Sequence, residues 1–234
     1  MDIYLSSAYL PPVQYFTKIV AGGRCFVEQY ENYVKQTYRT RCVIDSPNGP
    51  LSLTVPVEKP DTAKCLMKDV RLSEHDNWRH KHWQALASSY FNSPFFEFYQ
   101  DDFRPFYEKR WDFLMDFNEA LMEKCCELID ISPQCCRTEC YMPPANEEHK
   151  TEDNALYGSA AETVSGIRDF RTSLSPKSDW RLDSEFVPEK YYQVFAHKHG
   201  FLPNLSIIDL LFNMGPESVI VLNKSTASPE QSDR

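Results

Sequence analysis

The sequence predicts an α/β fold, or an α+β one: a mixed β-sheet with flanking helices, a β-hairpin and a helical segment. Three observations carry this. The chain opens as strand, turn, helix and strand, the beginning of a layered α/β unit. "RCVIDSPNGPLSLTVPV" then sets two alternating runs around an Asn-Gly turn, a hairpin signal. After the hairpin, apolar residues recur at i, i+3 and i+4 through two long stretches, which is the helical period.

Residues 1–10 alternate partly and read as a buried first strand. In "LPPVQYFTKIVAGG", Pro11 and Pro12 suit a turn and a first helical position, where a missing N–H costs little. Gly22 and Gly23 end that helix. "CFVEQY" reads as a second strand, and "KDVRLSE", past the hairpin, as a further one. Ser73 with Asp76 three residues on makes a capping box. The helix it opens carries Trp83, Leu86, Ala87 and Tyr90 on one stripe. A longer helix is predicted over residues 106–129, striped by Leu114, Phe117, Leu121, Cys125 and Leu128. Residues 143–188 are polar and weakly patterned, a long loop or lobe of the kind that is functional or disordered. Ser206 caps the next helix, with Asp209 at its third position, and Gly215 and Pro216 stop it. "SVIVL" reads as a last strand. The organisation is therefore a main α/β part over 1–142, an irregular polar lobe over 143–188, a closing helix and strand of the same domain over 189–222, and a disordered tail over 223–234.

Composition narrows the function classes. The chain has 234 residues, 42% hydrophobic, enough for a sizeable core. A net charge of −9 disfavours general nucleic-acid binding, because phosphate backbones attract basic faces. Neither GxGxxG nor GxxxxGK[ST] occurs, and there is no HExxH motif and no serine nucleophile elbow. The N-terminus has no basic region followed by an apolar run, and no window approaches the roughly 18 apolar residues of a membrane span. A cytoplasmic protein without membrane insertion is expected, with its 8 cysteines reduced. Five of them crowd into "CCELIDISPQCCRTEC", where adjacent pairs and the lack of histidine fit zinc knuckles poorly. No metal and no resident cofactor is expected.

Five blocks in one order carry a resemblance: "YLPPVQYF", "ENYVKQTYRTRC", "LTVPV", "WRHKHWQALASSYFNSPFFEFY" and "YYQVF…GFLPNLSIIDLLFNMG". Together they resemble the WbqC-like protein family over nearly the whole chain outside 143–188 and the tail. The resemblance implies a link to bacterial gene clusters for O-antigen and other surface polysaccharides, in Bacteroidetes-type bacteria for members of this kind. Many members carry Gln, Pro and Gly in the first turn. This chain has Ser7, Ala8 and Gln14 at those positions, so the resemblance carries over no role that needs the Gln, Pro or Gly.

Residues 30–44, "YENYVKQTYRTRCVI", concentrate cations and rings in an acidic chain. As a strand they put Lys35, Arg39 and Arg41 on one face; as a helix, Lys35 and Arg39. Arginine forks grip phosphate or carboxylate in bidentate fashion, and a tyrosine stacks on a base or sugar. The pattern fits a nucleotide, nucleotide-sugar or other small phosphate-bearing ligand, lined by Tyr9, Tyr15 and Tyr38. It also fits, and more simply, a solvated face whose arginines pair with Glu28, Glu31 or Asp45. Gln193, Asn204 and Asp209 form a second polar group, with Asp209 either a catalytic carboxylate or the capping acid. His82, beside the Trp83 face, is the histidine candidate for a general base. Cys25 and Cys42 are candidate nucleophiles only with a histidine close in space. The resemblance, rather than any catalytic residue visible in the sequence, implies acyl or aminoacyl transfer to a nucleotide sugar or similar phosphate-bearing substrate in surface-glycan biosynthesis. The alternative is a non-catalytic assembly or regulatory protein that docks partners through the aromatics of "SPFFEFY". Oligomeric state is left open.

Overall fold

The computed structural model describes residues 1–59, 64–143 and 167–227. In chain order the elements are β1 (Asp2–Ser6), α1 (Val13–Ala21), β2 (Cys25–Glu28), β3 (Arg41–Ile44), β4 (Leu51–Thr54), α2 (Trp78–Tyr90), α3 (Phe96–Glu108), α4 (Leu114–Ile129), β5 (Cys135–Arg137), β6 (Ile167–Asp169), α5 (Ala196–His199), α6 (Ile207–Met214) and α7 (Ser218–Lys224). The mixed α/β class is the one predicted.

β1 and β2 pair in parallel across α1, as a strand–helix–strand crossover requires. β5 joins β2 and β6 joins β1, both in parallel, giving the order β5-β2-β1-β6. Ile3, Leu5, Cys25 and Val27 are buried on the sheet face that meets α1, whereas Tyr4 and Phe26 on the other face are half-buried. β3 and β4 form a separate antiparallel hairpin in which Ile44 pairs with Leu51. Ser46 and Gly49 exchange backbone bonds at its tip, so the "SPNG" turn is where the sequence puts it.

Five local readings are corrected. Pro12 is the helix-capping residue of α1, one place ahead of the first helical position. "KDVRLSE" is no strand: Met67–Asp69 is a single 3-10 turn, and Arg71 and Leu72 each make one bridge, to Phe113 and Val57 on different sides. Two partners that diverge after one residue cannot build a ladder. The capping box does not form, because Asp76 (φ 65°) and Asn77 (φ 48°) turn left-handed and α2 starts only at Trp78. Ser73 Oγ accepts instead from the His75 amide. The predicted 106–129 helix is two helices. Between them Leu72 N donates to Asp112 O and Leu114 N to Val70 O, so tertiary bonds replace helical ones at the break. The predicted stripe survives within α4, where Leu114, Phe117, Leu121 and Cys125 are fully buried. "SVIVL" is helical: Ser218, Val221, Leu222 and Ser225 are buried at i, i+3, i+4 and i+7.

α6 lies at the centre, packed on α1, α3, α4 and α7. Ser206 caps it by accepting from Ile208 N at 3.4 Å. Gly215 ends it at φ 55°, where an added Cβ would fall 2.4 Å from the Phe95 ring. Among the described residues no helix is long and apolar enough to cross a membrane. Residues 144–166 of the predicted lobe and 228–234 of the predicted tail lie outside the described residues. The described part of the lobe contributes a strand, β6, and residue 226 of the tail region bridges Phe186.

Candidate functional site

In open parallel sheets ligands bind beyond the carboxyl ends of the strands, where the strand order reverses. Here β2 and β5 lie on one side of β1 and β6 on the other, so the reversal falls at β1. The strand ends there are Ser6, Glu28, Arg137 and Asp169.

Charge is concentrated at this edge. Arg39, 7% exposed, donates from Nε to Glu31 Oε1 at 2.9 Å and from Nη2 to Ser6 Oγ at 2.8 Å. Its Nη2 also lies 2.6 Å from Glu31 Oε2, and Ser6 Oγ donates to the same carboxylate at 3.1 Å. Beside it Glu28, fully buried, accepts from Tyr30 N, Thr138 Oγ1, Met142 N and Arg171 Nη1. Arg171 forks onto Asp169, with bonds of 2.9 and 2.6 Å, and lies over the Tyr4 ring at 5.2 Å. Burial works against the charge of Arg171, but the bonds to Asp169 and the field of Glu28 outweigh it and raise its pKa. From α4, Asn118 donates to Ser7 Oγ at 3.0 Å and to Arg39 O at 2.9 Å, which ties the end of β1 to the arginine backbone. Asn118 and Ser7 line a void of about 10 Å³, the size of one water.

Buried charge is costly even when paired, so a cluster of this kind at a strand-end crevice marks a functional-site candidate. It offers a carboxylate and a guanidinium that share one serine hydroxyl. A ligand hydroxyl can take the place of Ser6 Oγ, and a phosphate oxygen can compete with Glu31 for the Arg39 fork.

The predicted cations do not converge. Only Arg39 turns inward. Lys35 is exposed, and Arg41, on the hairpin, reaches no closer than 3.4 Å to Thr54 Oγ1. Only residues 41–44 of the stretch form a strand, and the backbone reverses at Gln36 with φ 60°, so the faces drawn from strand spacing do not hold. Tyr15 is buried beneath the site and donates to Ser6 O at 2.9 Å. Tyr38 is half-buried, its phenol pushed up to about 12 by burial, and its carbonyl accepts from Tyr9 N. Tyr9 is fully buried, its hydroxyl 2.9 Å from both His82 Nδ1 and Tyr107 Oη. His82 is pushed down to about 4 by burial, against a bond to the Thr54 backbone, so it is a neutral core imidazole at pH 7. Cys25 is pushed up by the neighbouring Cys135 and by burial, and Cys42 by burial, so neither is a poised thiolate. Among the described residues no three His, Cys, Asp or Glu side chains group as a metal ion needs.

The second polar group divides. Asp209 accepts from Tyr90 Oη at 2.8 Å, Tyr191 Oη at 2.7 Å and Gln193 Nε2 at 2.9 Å. It does not act as a capping acid, since Ser206 N donates to Val43 O. Burial pushes Asp209 up to about 6 against those three bonds. Asp45 lies near it, buried, with no partner on either carboxylate oxygen and its pKa raised by burial. Asn204 leaves this group for Gln14, whose backbone N–H donates to Asn204 Oδ1 at 3.0 Å. Ser6, Asn118, Asp169 and Arg171 were not read from the sequence as site residues. Their one local signal is the Asp169–Arg171 spacing in "DFR", inside a stretch with no period.

Fold and site together define an α/β protein with a buried acid–arginine cluster at the carboxyl edge of a parallel sheet. The model of the WbqC-like protein family matches residues 6–221, and the chain belongs to that family. It is also similar to "Uncharacterized protein Rv1507c" of Mycobacterium tuberculosis (strain ATCC 25618 / H37Rv), 27% identical over 222 residues, covering 92% of this chain and 94% of that protein. No solved structure matches.

Proposed function

We propose that this protein is a cytoplasmic transferase of surface-glycan biosynthesis that holds a phosphate-bearing donor, such as a nucleotide sugar, at the carboxyl edge of the sheet. One observation carries the reading: a buried arginine, Arg39, shares Ser6 Oγ with Glu31 at the end of β1, where parallel sheets seat ligands. The donor phosphate engages the Arg39 fork, and Glu31, released from it, accepts the acceptor's proton. Acyl or aminoacyl transfer to a sugar nucleotide suits a site that offers a carboxylate and hydroxyls. The pathway part of the reading draws on the surface-polysaccharide link that the family resemblance implies.

The test is thermal-shift binding with a panel of nucleoside diphosphate sugars. The wild type should gain several degrees with one of them. Arg39→Lys, folded by circular dichroism, should lose that gain because an ammonium lacks the fork, and Arg41→Ala should keep it. No shift with any member of the panel counts against the reading.

A docking role has its own observation. Phe91 and Phe98, at the α2–α3 corner, are 75% and 72% exposed. If that corner docks a partner, Phe98→Asp abolishes the association and leaves nucleotide-sugar binding intact.

A further inference from the structure

Cys25 and Cys135 are direct register partners on the adjacent parallel strands β2 and β5. Neighbouring strands lie about 4.8 Å apart, inside the Cα range of roughly 4.4–6.8 Å that a disulfide spans. Both side chains leave their strands on the same face, since register partners in a parallel pair do so. The two thiols are near enough to act on each other's titration. Cys25 is buried and Cys135 half-buried, so one sulfur is reachable and the other held behind it. An open groove of about 650 Å³ at the amino ends of the strands is lined by Arg24 and Gln134, the residues that immediately precede the two cysteines.

We propose that Cys25 and Cys135 form a redox-active dithiol whose substrate is hydrogen peroxide, with Cys135 the attacking sulfur and Cys25 the resolving one. The neighbouring Cys25 lowers the pKa of Cys135, and Cys135 together with burial raises that of Cys25, which fits this division of roles. The Cys135 thiolate attacks one peroxide oxygen. The S–O bond forms, the O–O bond breaks, and the leaving hydroxide takes up a proton as water. The Cys25 thiol then attacks the sulfenic sulfur. The S–S bond forms, the S–O bond breaks, and the departing hydroxide carries off the thiol proton as a second water. Two thiols and one peroxide become one disulfide and two waters. In a reducing compartment the dithiol is the resting form and the disulfide is transient.

The test is peroxide treatment of the full reduced chain at a few equivalents, followed by alkylation, trypsin and tandem mass spectrometry. Cleavage after Arg24, Lys35, Lys124 and Arg137 isolates Cys25 on 25–35 and Cys135 on 125–137. The expected product joins these two peptides, two hydrogens lighter than their sum, and is reversed by dithiothreitol. Fragment ions that break between Cys135 and Cys136 assign the sulfur in the wild type itself. In Cys25→Ala the reaction stops after the Cys135 attack, and dimedone labels Cys135 as the sulfenic acid. Cys136→Ser and Cys126→Ala keep the link, and Cys135→Ser loses it. A link confined to 125–137, a link that survives Cys135→Ser, or an unchanged mass overturns the proposal.

Discussion

Arg39 is bonded from all of its guanidinium nitrogens, to Glu31, Ser6 and Thr37, and none of those bonds reaches past its own cluster. Such a residue adds little net stability, because pairing only offsets the cost of taking both charges out of water. Removing one partner is different. Arg39→Met leaves the Glu31 carboxylate, its side chain 12% exposed, without its cation and should cost about 3–5 kcal/mol. Replacing both, as Arg39→Met with Glu31→Leu, should recover most of that loss. Urea unfolding of the two single variants and the pair measures the coupling. Additive single effects would mean that the two charges do not depend on each other. Sequence reading found the cation and raised Glu31 as a possible partner, yet also grouped Arg39 with Lys35 and Arg41. The turn at Gln36 separates them, and a positive φ at a glutamine leaves no mark in the residue pattern.

The elements that were legible are those whose local signals agree with their packing. β1, α1, β2 and the hairpin stand where their alternation, prolines, glycines and "SPNG" turn point. The misreadings come where a tertiary partner outbids the local pattern. The 106–129 helix breaks because Leu72 and Val70 bond residues 112 and 114, which lie 40 and 44 residues further along the chain. β5 and β6 have three residues each, too few for a period of two to declare itself. α7 is β-branched and therefore reads as a strand, although its buried positions are spaced as a helix. The end of α6 was legible for a firm reason. Gly215 holds φ 55°, and any side chain there enters the Phe95 ring. Gly215→Ala should thus cost more than the roughly 1 kcal/mol of an ordinary helix-end change, and Phe95→Ala should not rescue it fully, because the backbone strain remains. Thermal unfolding of the single and double variants checks this. A Gly215→Ala protein as stable as the wild type would mean that the backbone there relaxes.

Across the whole molecule two buried titrating groups pull stability in opposite directions with pH, and their sum is a property neither stretch of sequence announces. The sequence marks His82 as a candidate base and Asp209 as a candidate base or capping acid, and both lie in the core, His82 against Tyr9 and Asp209 against Tyr90, Tyr191 and Gln193. Burial does what sequence cannot foresee: it moves the imidazole down from 6.5 to about 4 and the carboxyl up from 3.8 to about 6. As pH falls from about 6.5, the unfolded chain protonates His82 while the folded one does not, so the protein loses stability until about pH 4. As pH falls from about 6, the folded chain protonates Asp209 before the unfolded one does, so the protein gains stability down to about the same point. Each slope is worth about 1.4 kcal/mol per pH unit, and between pH 4 and 6 they oppose each other. Asp209→Asn removes the gain and unmasks the loss, so its stability should fall by up to about 3 kcal/mol more than that of the wild type between pH 6 and 4. His82→Gln should do the reverse and flatten or invert the acid limb. Urea midpoints of the three proteins at half-unit steps from pH 4 to 7 decide it. If the Asp209→Asn curve runs parallel to the wild type, that carboxyl stays charged inside the fold, and its three hydrogen bonds outweigh its burial.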